Sequence, residues 1–109
     1  MHDNPVVDEL LDDRRFVCLV RPKQVAGYEK FLKYRATFAP IPQPTEDPVY
    51  VSVIWSNLSY DEGYVYCDDS SVEIAVMHHE DIISGDVKGW VKSADEVLEF
   101  YNETVSPSQ

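Results

Sequence analysis

At 109 residues, with 44% apolar and 12% aromatic side chains, the chain has the size of one domain and enough apolar groups to bury a core without a metal or disulfide staple. No apolar run approaches the roughly 20 residues of a membrane-spanning helix, and the opening Met-His-Asp-Asn-Pro has no basic stretch leading into an apolar one, so a soluble, cytoplasmic protein without an export signal is expected. The net charge of −11 is unevenly spread: −5 over residues 1–13, +6 over 14–35, and −12 from 36 onward. That asymmetry suggests an acidic face that steers toward a basic partner, with a smaller basic region elsewhere; the plainer reading is that acidity only keeps a small protein in solution.

Pro5 to Asp13 has the pattern of a short amphipathic helix. Asn4 suits the N-cap, Pro5 the first helical position, and Val6, Val7, Leu10 and Leu11 share a face. The same residues 1–13 also read as an acidic arm. Arg15 to Arg21 is a continuous apolar run closed by Pro22, which reads as a central strand buried on both faces. Over 23–36 the spacing of Val25, Tyr28, Phe31 and Leu32 turns helical, and this segment is the first of two main helices expected, with Gly27 weakening it by ~1 kcal/mol relative to Ala.

Residues 40–48 hold four prolines and read as a rigid extended connector. Pro48 to Trp55 alternates strictly, Val49, Val51, Val53 and Trp55 against Tyr50, Ser52 and Ile54, and is the best strand in the chain. Gly63 to Cys67 and Ser71 to His78 follow as further strands, joined by turns at 56–63 and at 68–71. Residues 79–89 look irregular or like one helical turn, and Trp90-Val91 extends this stretch or forms a short edge strand. Ser93 and Glu96 form a capping box that starts the second main helix, from Ala94 to about Glu103, and 106–109 should fray. The expected fold is α+β: a single two-layer domain over 1–109, an antiparallel sheet of about four strands with two main helices packed on one face.

Chemistry-bearing motifs are scarce. His78, His79, Glu80 and Asp81 are adjacent, with Cys67, Asp68 and Asp69 across a hairpin, yet neighbouring histidines on a strand point to opposite faces and no zinc spacing is present. Cys18 and Cys67 lie inside expected strands and read as buried reduced thiols, with one cross-strand disulfide as the alternative. No serine carries elbow glycines, and none of the four glycines forms a phosphate-binding loop. No enzyme, cofactor or metal site is expected. A basic run with Tyr28 and Tyr34 interleaved is the only nucleic-acid candidate, and the rest of the surface would repel phosphate, so direct nucleic-acid binding is not expected either.

Carboxylates on turns and a solvated helix face, with tyrosines beside them, suit a protein interface, because Tyr buries area at low entropy cost. The candidate partner-binding residues are Tyr60, Asp61, Glu62, Tyr64, Tyr66, Asp68, Asp69, Glu96, Glu99 and Glu103. The expected function is that of a small acidic inhibitor occluding a basic, nucleic-acid-handling protein. An anti-CRISPR protein, another DNA mimic and a toxin immunity protein are its concrete versions. The alternatives are a non-catalytic accessory subunit, homodimeric through an apolar face, and a small metal-binding protein.

Overall fold

The computed structural model describes residues 3–28, 30–41, 48–58 and 65–105. In chain order these form α1 (Pro5–Asp12), β1 (Phe16–Tyr28), β2 (Phe31–Pro40), β3 (Tyr50–Ser56), β4 (Val72–His78), β5 (Asp81–Ile82), β6 (Lys88–Val91) and α2 (Ala94–Val105). The strands make one antiparallel sheet in the order β1-β2-β3-β4-β5, with β6 also paired to β4.

Alternation along the three central strands creates one apolar face. Tyr34 lies opposite Trp55, Ala36 opposite Val53 and then Ile74, and Phe38 opposite Val51 and then Val76. All eight are buried, and they share one cluster with Val6, Val7 and Leu10 of α1 and with Ala94, Val97 and Tyr101 of α2. Tyr34 and Trp55 stack with ring centroids 5.8 Å apart. Both helices therefore cover this face.

Local signals fix the helix starts. Asn4 takes an extended φ of −141°, and its side-chain oxygen accepts the Val6 and Val7 amides at 2.9 and 3.4 Å. Its amide nitrogen donates to the Ser71 carbonyl at 3.0 Å, which ties the start of α1 to the turn before β4. At α2 the Ser93 hydroxyl accepts the Glu96 amide, and the Glu9 carboxylate reaches across from α1 to accept the Ala94 amide at 2.9 Å, where the helix dipole favours negative charge. Arg15 bonds both Asp13 and Asp95 at 2.7 Å, a second link between the helices.

Four expectations are corrected. The sheet has six strands among the described residues rather than about four, and the helix expected over 23–36 is a β-hairpin. The two helices are thus α1 and α2. Lys33, Arg35 and Thr37 alternate with Tyr34, Ala36 and Phe38, a period of two that outweighs the sparse helical stripe once β3 offers a ladder to Lys33 through Phe38. Asn57 then closes the hairpin end, accepting the Leu32 amide and donating to the Lys30 carbonyl.

The run from Arg15 to Arg21 lies on the outermost strand, with Val17, Leu19 and Val20 exposed, because an unbroken apolar run carries no information about which neighbours it will have. Three register shifts place the 13 residues of β1 against 10 of β2. Together with Pro22 and Lys23 they blunt this edge against strand addition. Finally, Val65 to Cys67 is not strand, although Val65 and Cys67 are buried in the core; residues 61–64 and most of the proline connector, 42–47, lie outside the described residues.

Asn4 is 2% exposed and serves two elements, so Asn4→Ala removes the cap and strands the buried Ser71 carbonyl. Urea denaturation should show a loss of about 2 kcal/mol, at the upper end for a cap alone.

Candidate protein-binding surface

Of the expected interface residues, Tyr60, Asp61, Glu62 and Tyr64 lie outside the described residues. The other six are placed, and their environments divide them. Asp68 is spent on its own turn: its carboxylate accepts the Ser70 amide at 3.0 Å and the Ser71 hydroxyl at 2.7 Å. The Ser71 hydroxyl, then the Ser70 amide, hold this carboxyl below its ordinary range. Glu96 is also engaged, accepting the Lys92 amide at 3.4 Å to complete the cap of α2. Asp69, Glu99 and Glu103 are exposed and make no ion pair with any described residue.

Glu99 and Glu103 belong to a longer row. With Asp95 they occupy i, i+4 and i+8 of α2, one outward face of a helix with no basic residue in its last turn. At 1.5 Å per residue, successive carboxylates stand roughly 6 Å apart along the axis. A shallow depression lined by Asp95, Leu98, Glu99, Asn102 and Glu103 runs along this face. The exposed Asp8 and Asp12 of α1 lie in the same helical layer. The Asp68–Ser71 turn adjoins that layer through the bond from Asn4 to Ser71.

Beside the turn stands an aromatic pair that joins the expected Tyr66 to Trp90, which the expected set lacks. Tyr66 meets Trp90 edge to face, with centroids 5.6 Å apart and planes at 71°. Trp90 is 46% exposed and has a φ of +50°, a conformation that a bulky residue adopts only at a cost of order 1–3 kcal/mol. Two features hold it there. The two-residue step from Val72 to Ile74 of β4 faces a three-residue step from Val91 to Lys88 of β6, so an extra residue bulges the edge. The Trp90 amide also donates to the Tyr66 carbonyl at 2.8 Å. Gly89 allows the approach, since a β-carbon there would sit 2.5 Å from the Tyr66 β-carbon. The available signal was a Gly-Trp pair at the end of a segment with no periodicity; the bulge that turns the indole outward depends on pairing with β4.

His78 ends β4 and both histidines are partly exposed, but they are not two strand residues on opposite faces. His79 and Glu80 form the two-residue turn between β4 and β5 with φ of +53° and +67°, and that reversal brings the His78 and His79 rings to 4.1 Å. Among the described residues no three His, Cys, Asp or Glu side chains group as metal ligands, and no helix is long and apolar enough to cross a membrane. Both cysteines are free, Cys67 buried and Cys18 half-buried, and burial pushes each thiol up.

Compared with protein-family models, curated proteins and solved structures, the chain has no match.

Gly89→Ala should displace Tyr66 and Trp90 together and cost about 1–3 kcal/mol, as overpacking against fixed neighbours does. Indole fluorescence should shift, while Trp90→Phe with and without Gly89→Ala isolates the buried Trp55, whose signal should not move. The lowered Asp68 pKa predicts an acid-side effect. Because the folded value lies below the ordinary 3.8, the contribution is complete well above 3.8 and is lost as pH falls through the folded value. The stability difference between wild type and Asp68→Asn should therefore be flat above ~pH 5 and shrink below it.

Proposed function

We propose that this chain is a non-catalytic protein-binding domain that occludes the basic surface of a partner which otherwise handles nucleic acid. The observation that carries the reading is the row Asp95, Glu99 and Glu103 on the outer face of α2, unneutralised except where Arg15 touches Asp95. One carboxylate about every 6 Å gives a little over half the linear charge density of one nucleic-acid strand, which carries a charge per ~3.4 Å. Such a row raises association rates with a positive surface and discriminates against acidic partners.

Charge alone steers but holds weakly, and Trp90 with Tyr66 supplies what it lacks. A half-exposed Trp backed by a second ring, beside the Asp68–Asp69 turn, has the composition of an interface anchor, with the carboxylates as its polar rim. Asp68 and Glu96 act in this scheme through the turn and the cap they hold; Asp69, Glu99, Glu103 and Trp90 make the contacts. A defence-inhibiting protein and a toxin immunity protein would both use this mode, and both act by stoichiometric masking rather than turnover.

Immobilised protein exposed to lysate of the native host should retain a basic, nucleic-acid-binding protein that elutes as salt is raised. Against that purified partner, reversing Asp95, Glu99 and Glu103 to Lys should lower the association rate about tenfold or more, whereas Trp90→Ala should mainly raise the dissociation rate. Affinity unchanged by charge reversal and insensitive to salt would overturn the proposal.

A further inference from the structure

The face of the sheet that the helices leave uncovered carries a second, chemically different surface. Its centre is Arg35 on β2. Arg35 is half-buried, its Nε donates to the Ser52 hydroxyl at 2.8 Å, and one terminal nitrogen contacts the Met77 sulfur at 3.6 Å. A guanidinium has five N–H donors, so most remain unspent on acceptors among the described residues.

No described carboxylate pairs with Arg35, in a chain with 20 acidic residues. Two lie within the same cavities. Glu73 gives an oxygen to the Tyr66 amide at 3.2 Å, and Glu80 is exposed on the strained turn at the rim. The basic neighbours make matters worse: Lys23 is the direct cross-strand partner of Arg35, a like-charge pairing that destabilises a sheet, and Lys33 follows on the same face. A half-buried cation that the described carboxylates leave unpaired, although carboxylates are abundant, marks a place where an external anion completes the structure.

The surroundings say what kind of anion. Two cavities of about 340 and 320 Å³ flank Arg35 and share it as a common wall. On one side Val25, Ile54, Met77 and Ile82 give an apolar lining; on the other Leu19, Val20 and Tyr50 do so. Leu19 and Val20 are consecutive yet both face the cavity, because the register shift between Cys18 and Val20 turns the strand there. Each cavity is of small-molecule size and pairs an apolar lining with charged groups, Lys33, Glu73 and Glu80 in one and Lys23 and Glu80 in the other, around the shared Arg35.

We propose that this open face binds a small organic carboxylate with an aliphatic body, its carboxylate on Arg35 and its chain along Ile54 and Met77. The site is separate from the acidic layer, across the thickness of the sheet, and does not depend on the partner-masking reading.

Decanoate below its micelle concentration, decyltrimethylammonium and acetate should be titrated into the 15N-labelled full-length protein. Decanoate should bind at least tenfold more tightly than decyltrimethylammonium, acetate should not bind measurably, and the shifted amides should be those of Arg35, Ser52, Ile54 and Met77. Arg35→Gln should lower decanoate affinity at least tenfold with only a small fall in Tm, since the bond to Ser52 is lost but no ion pair with a described residue. Equal binding of the two amphiphiles, shifts confined to the helical layer, or full affinity in a folded Arg35→Gln protein would each overturn the proposal. If Arg35→Gln does not fold, the comparison of amphiphiles and the map of shifts decide it alone. A glutamate-rich peptide displacing decanoate at lower concentration would also overturn it, assigning the groove to a protein segment.

Discussion

The rest of the molecule depends on the register that aligns Ala36, Val53 and Ile74 in one row across β2, β3 and β4, with Phe38, Val51 and Val76 as the next. A slip of one residue in any of these strands would turn its apolar set outward, so burial of this face specifies the register more strongly than any single hydrogen bond. Two helices of 8 and 12 residues suffice to cover it, and they cover only it. The opposite face is left open for that reason.

This one-sided construction also sorts the charge. The layer that covers the core is made of segments rich in acid, and its internal links use some of those acids: Glu9 caps α2, and Arg15 joins Asp13 to Asp95. The carboxylates left over look outward. On the other side, the hairpin of β1 and β2 carries Lys23, Lys33 and Arg35 onto the uncovered face. A chain of net charge −11 thus presents a negative layer on one side and a locally positive groove on the other. The separation is a consequence of topology, since the basic segment lies in the sheet and the most acidic segments lie over the core.

Among the described residues other than glycine, positive φ occurs where the sheet edge meets solvent, at His79, Glu80 and Trp90. All three sit beside β4, whose free edge is shared by two short strands instead of one long one. Splitting the edge removes a long strand on which another chain could build, and it presents Trp90 and the His79–Glu80 turn at the surface.

The sequence by itself determined the elements whose signals are local. Asn4-Pro5 and Ser93 with Glu96 cap the two helices because a side chain reaches only two or three residues along its own backbone, and the alternation of Val49 to Trp55 and Val72 to His78 marks strands whatever they pair with. The acidic row on α2 was legible for the same reason, since helical spacing alone places Glu99 and Glu103 together. Tertiary structure decided the state of residues 23–36, whose side chains suit a weak helix and an alternating strand alike; the ladder to β3 and the two bonds from Asn57 choose the strand. It also decided that β1 lies at an edge, that Trp90 points outward, and that Arg35 stands half-buried with no described carboxylate paired to it. Each of these depends on which distant segment lies alongside, and pairing between residues tens of positions apart leaves no trace in local composition or period.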